Sequence, residues 1–232
     1  MLLSILGNSS MSFGQKVTYI LITAFCVLLS LSTHELSHGL AAYAVGDNTA
    51  KYSGRLSLNP FAHLDPFGAL CLFLFGFGWA KPVPVNPWNF KNKKGGMIFT
   101  SLAGPLSNFI LAFIAMIFNI ILKSALMKMA TGNSLGALFT IASVFYSITD
   151  CLVIINLGLG IFNLIPIPPL DGSKVLTAIL PQNLYFKLMD YERYGFIILL
   201  ILINLPGFNS FLSFCRSGVM SFYESIISIF IH

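Results

Sequence analysis

The stretch from Val17 to Val45 is apolar and long enough to cross a bilayer as a helix, and near its end it carries His34-Glu35-Leu36-Ser37-His38. Two imidazoles four residues apart on a helix project from one face, one turn apart, and can bind one metal ion. The carboxylate beside the first histidine is then placed to act on water that the metal activates. A five-residue pattern with three fixed positions recurs by chance, so the setting carries the weight. Each ionisable group at bilayer depth costs roughly 2.5–3.5 kcal/mol on insertion scales, and such groups mark functional sites. The bland alternative is a helix end whose histidines sit satisfied at the interface.

Composition agrees with the membrane setting. The 232 residues are 56% hydrophobic and 9% charged, with mean hydropathy +0.83, whereas soluble domains carry about 25% charged residues. The longest hydrophilic piece, from about Lys81 to Gly96, is too short to fold alone. The expectation is one membrane domain over 1–232, its core about 17–190, with no PDZ or CBS module. Nothing in the modest net charge of +5 points to nucleic acid. Cys26, Cys71, Cys151 and Cys215 form no CxxC and read as small hydrophobic residues. Met1 to Gly14 lacks a convincing cleavage site and reads as an interfacial lead-in.

Val17–Val45, Met97–Leu122, Leu135–Leu164 and Tyr194–Phe214 each reach the roughly 20 residues a span needs. Phe67–Ala80 is shorter and contains Gly68, Gly76 and Gly78, which suits a re-entrant or strand-like element. The tail, Val219–Ile231, is apolar and short enough to lie along the interface. The expected fold is therefore an all-α polytopic membrane protein of about four to six transmembrane helices, with a re-entrant or β-hairpin-like loop near residues 67–85. Parity supports the re-entrant choice. With it, Lys51, Arg55, Lys81, Lys91, Lys93, Lys94, Lys174, Lys187 and Arg193 share one side, and Lys16, Lys123, Lys128 and Arg216 take the other. By the positive-inside rule the richer side, with the histidine motif, faces the cytoplasm.

Catalytic zinc takes three protein ligands plus water. Glu35 points about 100° away from the two histidines, which suits a base rather than a ligand. Asp171 follows Pro166-Ile167-Pro168-Pro169-Leu170, where the chain must leave helical geometry. It is either the third ligand or the cap of the helix that follows, Gly172–Leu180; spacing alone does not choose.

Taken together, the motifs resemble the site-2 protease family of intramembrane zinc metalloproteases, in its small single-domain bacterial branch. The resemblance runs from His34 to about Leu180. It rests on His34-Glu35-xx-His38, Gly46-Asp47, Leu58-Asn59-Pro60, Gly76-Phe77-Gly78-Trp79-Ala80-Lys81-Pro82-Val83, Ala103-Gly104-Pro105-Leu106-Ser107-Asn108, and Asn163 through Asp171-Gly172, in that order. It implies one Zn2+ ion held by His34, His38 and Asp171, with Glu35 as the general base. It also implies that Asn163 positions substrate or polarises the scissile carbonyl, and that Gly76, Phe77 and Gly78 line a groove holding an extended substrate. Substrates would be transmembrane or membrane-tethered proteins, cut within the lipid bilayer or at its edge, in a bacterial cell membrane.

Three rivals differ in residues. A prenyl-protein protease would take a downstream glutamate as third ligand, Glu192 or Glu224, and neither sits in a matching motif. A two-iron histidine-box enzyme needs more than the four histidines present. A transporter would carry polar residues along a path through several helices, and a scaffold would bind a partner without turnover. His63 reads as a turn-holding histidine before a second ligand. Asp150 pairs within the bundle or lies near the outer surface, and Asn108 suits a hydrogen bond between helices.

Overall fold

Helix formation in this chain follows the apolar runs, and much of what those helices bury is small or polar. The computed structural model describes residues 11–68, 80–132, 136–181 and 194–230. Among these, α1 (Phe13–Ala44), α2 (Lys93–Thr131) and α3 (Ala137–Asn163) are each long and apolar enough to cross a membrane. A short helix α4 (Asp171–Ile179) follows the proline run, and then come α5 (Tyr194–Ile203) and α6 (Pro206–Ser228). The protein is an all-α polytopic membrane protein; among the described residues three helices are long and apolar enough to span, or four if the α5–α6 pair is one span.

The inward face of α1 presents Thr23, Cys26, Ser30, Ser32, His34, His38, Gly39, Ala41 and Ala42. Leu21, Phe25, Leu40, Phe99, Ile110, Phe118, Ile141 and Phe145 point outward and are exposed, as lipid-facing side chains would be. Lipid offers no hydrophobic drive between helices, so close approach by small residues and buried polar pairs holds such bundles together. One apolar cluster joins Cys26 with Ala112, Ala115, Met116, Leu152, Val153, Leu157 and Ile227, tying α1, α2, α3 and α6 into one core.

Neighbouring long helices run antiparallel. His34 meets Asn108 near the start of α2, and Asn119 further along α2 meets Tyr146 and Thr149 early in α3. The histidine end of α1, the start of α2 and the end of α3 therefore meet at one end of the bundle. At about 1.5 Å per residue, the 39-residue α2 outruns a hydrocarbon core of about 30 Å.

Two expectations are corrected. The run Tyr194–Phe214 does not form a straight span: α5 and α6 meet at an 82° bend. Pro206 opens α6 without an N–H to donate, and Leu205 before it is extended. The tail from Val219 is not a separate element. It continues α6, buries Ile227 in the core, and Tyr223 Oη donates to the Phe109 carbonyl at 3.1 Å.

Gly76, Phe77 and Gly78, the middle of the expected re-entrant loop, lie outside the described residues. Its flanks are described. Leu64 and Ala80 form an antiparallel bridge, and Lys81 N donates to His63 O at 2.8 Å. The two flanks of that loop thus lie side by side.

Candidate metal centre

The histidine motif lies on the inward face of α1 roughly two to three turns from its end, and α4 returns a carboxylate to it. His34 Nε2, His38 Nε2 and Asp171 Oδ2 form a triangle with every edge 3.0 Å. All three residues are buried. They are the metal-type cluster of histidine, cysteine or carboxylate groups found among the described residues. Asp171 is the first residue of α4 and not its cap; Leu170 holds that position. Its Oδ1 accepts from Lys174 Nζ at 3.0 Å, so Oδ2 alone faces the imidazoles.

What lies behind each imidazole decides which ring nitrogen carries the proton. His38 Nδ1 lies 2.7 Å from the Thr100 carbonyl, which can only accept, so Nδ1 donates. His34 Nδ1 lies 2.5 Å from Asn108 Oδ1. The orientation of that amide is fixed further back. Asn156 Nδ2 donates to Leu152 O and to Ser30 Oγ, both at 2.8 Å, and Asn108 Nδ2 donates to Asn156 Oδ1 at 2.7 Å. Asn108 therefore turns its oxygen to His34, and His34 Nδ1 donates as well.

With both Nδ1 atoms protonated, each neutral ring turns a lone pair toward the other and toward a carboxylate oxygen. Protonating one imidazole would satisfy only part of that triangle. A divalent cation satisfies all of it. Two imidazole nitrogens and one carboxylate oxygen are a catalytic-zinc donor set, and ligand–ligand edges around a tetrahedral zinc are about 3.3 Å. The fit needs a few tenths of an ångström of opening.

Space for the two rings comes from α2. A Cβ on Gly104 would lie 2.4 Å from His38 Nε2 and 2.7 Å from His34 Cε1. Only glycine fits there. Pro105 follows it and is buried inside the helix, withdrawing a helical N–H one turn after the Thr100–Ser101 carbonyls.

Glu35 does not join the triangle. Its Oε2 accepts the Val83 N–H at 2.9 Å. Pro82 and Pro84 flank Val83 and have no N–H, so Val83 supplies the lone donor in that stretch of three. Gly46-Asp47 anchors the same segment. Gly46 has φ +110°, and the buried Asp47 accepts from Thr49 N, Thr49 Oγ1, Asn86 N and Asn89 Nδ2 at 2.5–3.1 Å. Burial works against the Asp47 charge, but hydrogen bonds from the Thr49 hydroxyl, the Asn86 backbone and Asn89 outweigh it and hold the carboxyl below the usual range.

Other residues singled out in the sequence lie elsewhere. Asn163 ends α3 with Nδ2 donating to the Leu159 carbonyl one turn back at 3.0 Å, rather than to the triangle. His63 is buried with Nε2 on Ser57 O at 2.7 Å. Asp150 is exposed on α3. Glu224 joins no metal-type cluster among the described residues, and Glu192 lies outside them. Two groups of this centre gave no sequence signal: Asn156, a single polar residue in an apolar run, and the backbone N–H of Val83.

The chain matches the family model described as Peptidase family M50 over residues 22–203. It is 42% identical over 188 residues to "Putative zinc metalloprotease YwhC" of Bacillus subtilis, covering 81% of each chain. It is 27% identical to the similarly named Rip2 of Mycolicibacterium smegmatis over 211 residues, 85% of this chain and 74% of that one. Rip2 of Mycobacterium tuberculosis is also 27% identical, over 188 residues, 78% of this chain and 66% of that one. No solved structure matches.

Proposed function

This chain belongs to peptidase family M50, the site-2 protease family, and is a metalloprotease; on that premise we propose that it is an intramembrane enzyme holding one zinc ion on His34, His38 and Asp171. The reaction is hydrolysis of peptide bonds within or beside the transmembrane segments of membrane proteins. The observation that carries the reading is the convergence of two imidazole lone pairs and a carboxylate oxygen at 3.0 Å, in a buried pocket where each imidazole's far side is already hydrogen-bonded.

Zinc, when bound, supplies Lewis acidity toward the scissile carbonyl and the attacking water. Glu35 is the general base: it takes a proton from that water and passes it to the leaving amine. The Val83 N–H fixes Oε2, so Oε1 is the oxygen that carries the proton. Asn163 and Gly76-Phe77-Gly78 are assigned to the substrate, the former as a hydrogen-bond donor to the developing oxyanion, the latter as an edge for an extended chain. Transmembrane helices hide their carbonyls in their own hydrogen bonds, so the substrate must unwind before it reaches the base. Lys51, Arg55, Lys81, Lys91, Lys93, Lys94 and Lys174 flank the elements at the site's end of the bundle, which favours a cytoplasmic orientation.

The test is cleavage of a single-pass model substrate by the purified chain in liposomes, wild type against Glu35→Gln, with zinc counted in both. The reading expects chelator-sensitive cleavage by the wild type only, and one zinc per chain in each. A Glu35→Gln protein that cleaves at the wild-type rate would remove Glu35 as the base.

A further inference from the structure

Ser30, Asn108 and Asn156 are fully buried polar side chains in the middle of an apolar bundle, from three different helices. Burying an amide without partners costs roughly 1–3 kcal/mol by mutational measure, and here every bond is made in one direction. Ser30 Oγ donates to Cys26 O at 2.7 Å and so accepts from Asn156 Nδ2. Asn156 Nδ2 is also held by Leu152 O, which leaves Asn156 Oδ1 for Asn108 Nδ2. Asn108 Oδ1 is then the atom left for His34 Nδ1. Two backbone carbonyls that can only accept thus set the sense of a relay that ends on a motif histidine.

We propose that the Ser30–Asn156–Asn108 relay is a positioning device for the metal centre, holding His34 as the Nδ1–H tautomer with Nε2 presented to the ion. The inference rests on the zinc reading above. It deepens that reading by adding three residues that touch neither substrate nor metal. Asn108 acts on the ligand directly, while Asn156 and Ser30 act only through Asn108. Partners of this kind behind a ligating histidine typically contribute 10–100-fold in metal affinity. A plain helix–helix contact would change stability and leave metal affinity alone.

The experiment is chelator-competition measurement of zinc affinity on the full chain in detergent, with melting of the zinc-free protein recorded alongside. Asn108→Leu is expected to bind zinc roughly 10–100-fold more weakly, and Asn156→Leu to fall between it and the wild type. The double variant should bind no more weakly than Asn108→Leu, because Asn156 has no route to the histidine except Asn108. Ser30→Ala, the mildest change, should show a smaller loss in the same direction, and it keeps the test decisive if the leucine variants fail to fold. Wild-type affinity in Asn108→Leu, or in both Asn156→Leu and Ser30→Ala, overturns the relay. So does a double variant whose losses simply multiply. A wild-type chain that takes up no zinc is a different failure, since it sinks the metal reading itself.

Discussion

The two motif histidines face the same triangle but are held from behind in different ways. His38 donates to the Thr100 backbone carbonyl, a partner no side-chain substitution can remove. His34 donates to Asn108, the last link of a side-chain relay through three helices. The contrast shows where a metal site in a membrane bundle can be changed by sequence. One proposed ligand is secured by helix packing, and the other depends on amides that must all point the right way.

The comparison breaks most completely at the proposed ligands themselves, where the histidines are equivalent. His34→Ala, His38→Ala and Asp171→Ala should each take zinc content from one per chain to near zero, read by metal analysis of purified protein, with cleavage lost in parallel. Gly104→Ala comes next and strikes both rings at once. Its new methyl would lie 2.4–2.7 Å from their edges, so it should lower the melting temperature by the equivalent of about 1–3 kcal/mol and weaken zinc binding.

Asp47→Asn, away from the triangle, sharpens the contrast between site and scaffold. It should cost roughly 2 kcal/mol at neutral pH, because hydrogen bonds to a charged acceptor are lost. A carboxyl held low in the folded state stabilises above its unfolded value of about 3.9. That contribution fades as pH falls below this value toward the folded one. The gap between Asp47→Asn and wild type in thermal melts should therefore be constant from pH 5 to 8 and narrow only in acid. The smallest effect falls on the His38 side. Thr100→Val leaves the backbone carbonyl in place and removes a buried hydroxyl that has no hydrogen-bond partner among the described residues. It should keep wild-type zinc affinity and lose no stability, whereas Asn108→Leu on the His34 side should not.

Much of this was legible in the sequence, for physical reasons that can be named. Apolar runs of membrane length mark α1, α2 and α3, because every backbone group at bilayer depth must be paired within its own helix. The i, i+4 histidines and the post-proline Asp171 were visible as types and spacing. Their convergence was not, since it depends on how α4 folds back against α1. Pro206 breaks the last apolar run, and hydropathy alone joined what that proline separates. Asn156 carried no signal because one polar residue in a span looks like noise until Asn108 and Ser30 are seen beside it. The Val83 N–H is invisible to residue-type reasoning, because every residue but proline carries such a donor.

Zinc-edge X-ray absorption on the purified wild-type protein tests the central claim most directly. Ligation by His34, His38 and Asp171 predicts two imidazole signatures and oxygen at about 2.0–2.2 Å, with no sulfur. It also predicts that the zinc signal disappears from Asp171→Ala. A sulfur shell at about 2.3 Å, or an Asp171→Ala spectrum indistinguishable from wild type, would contradict it.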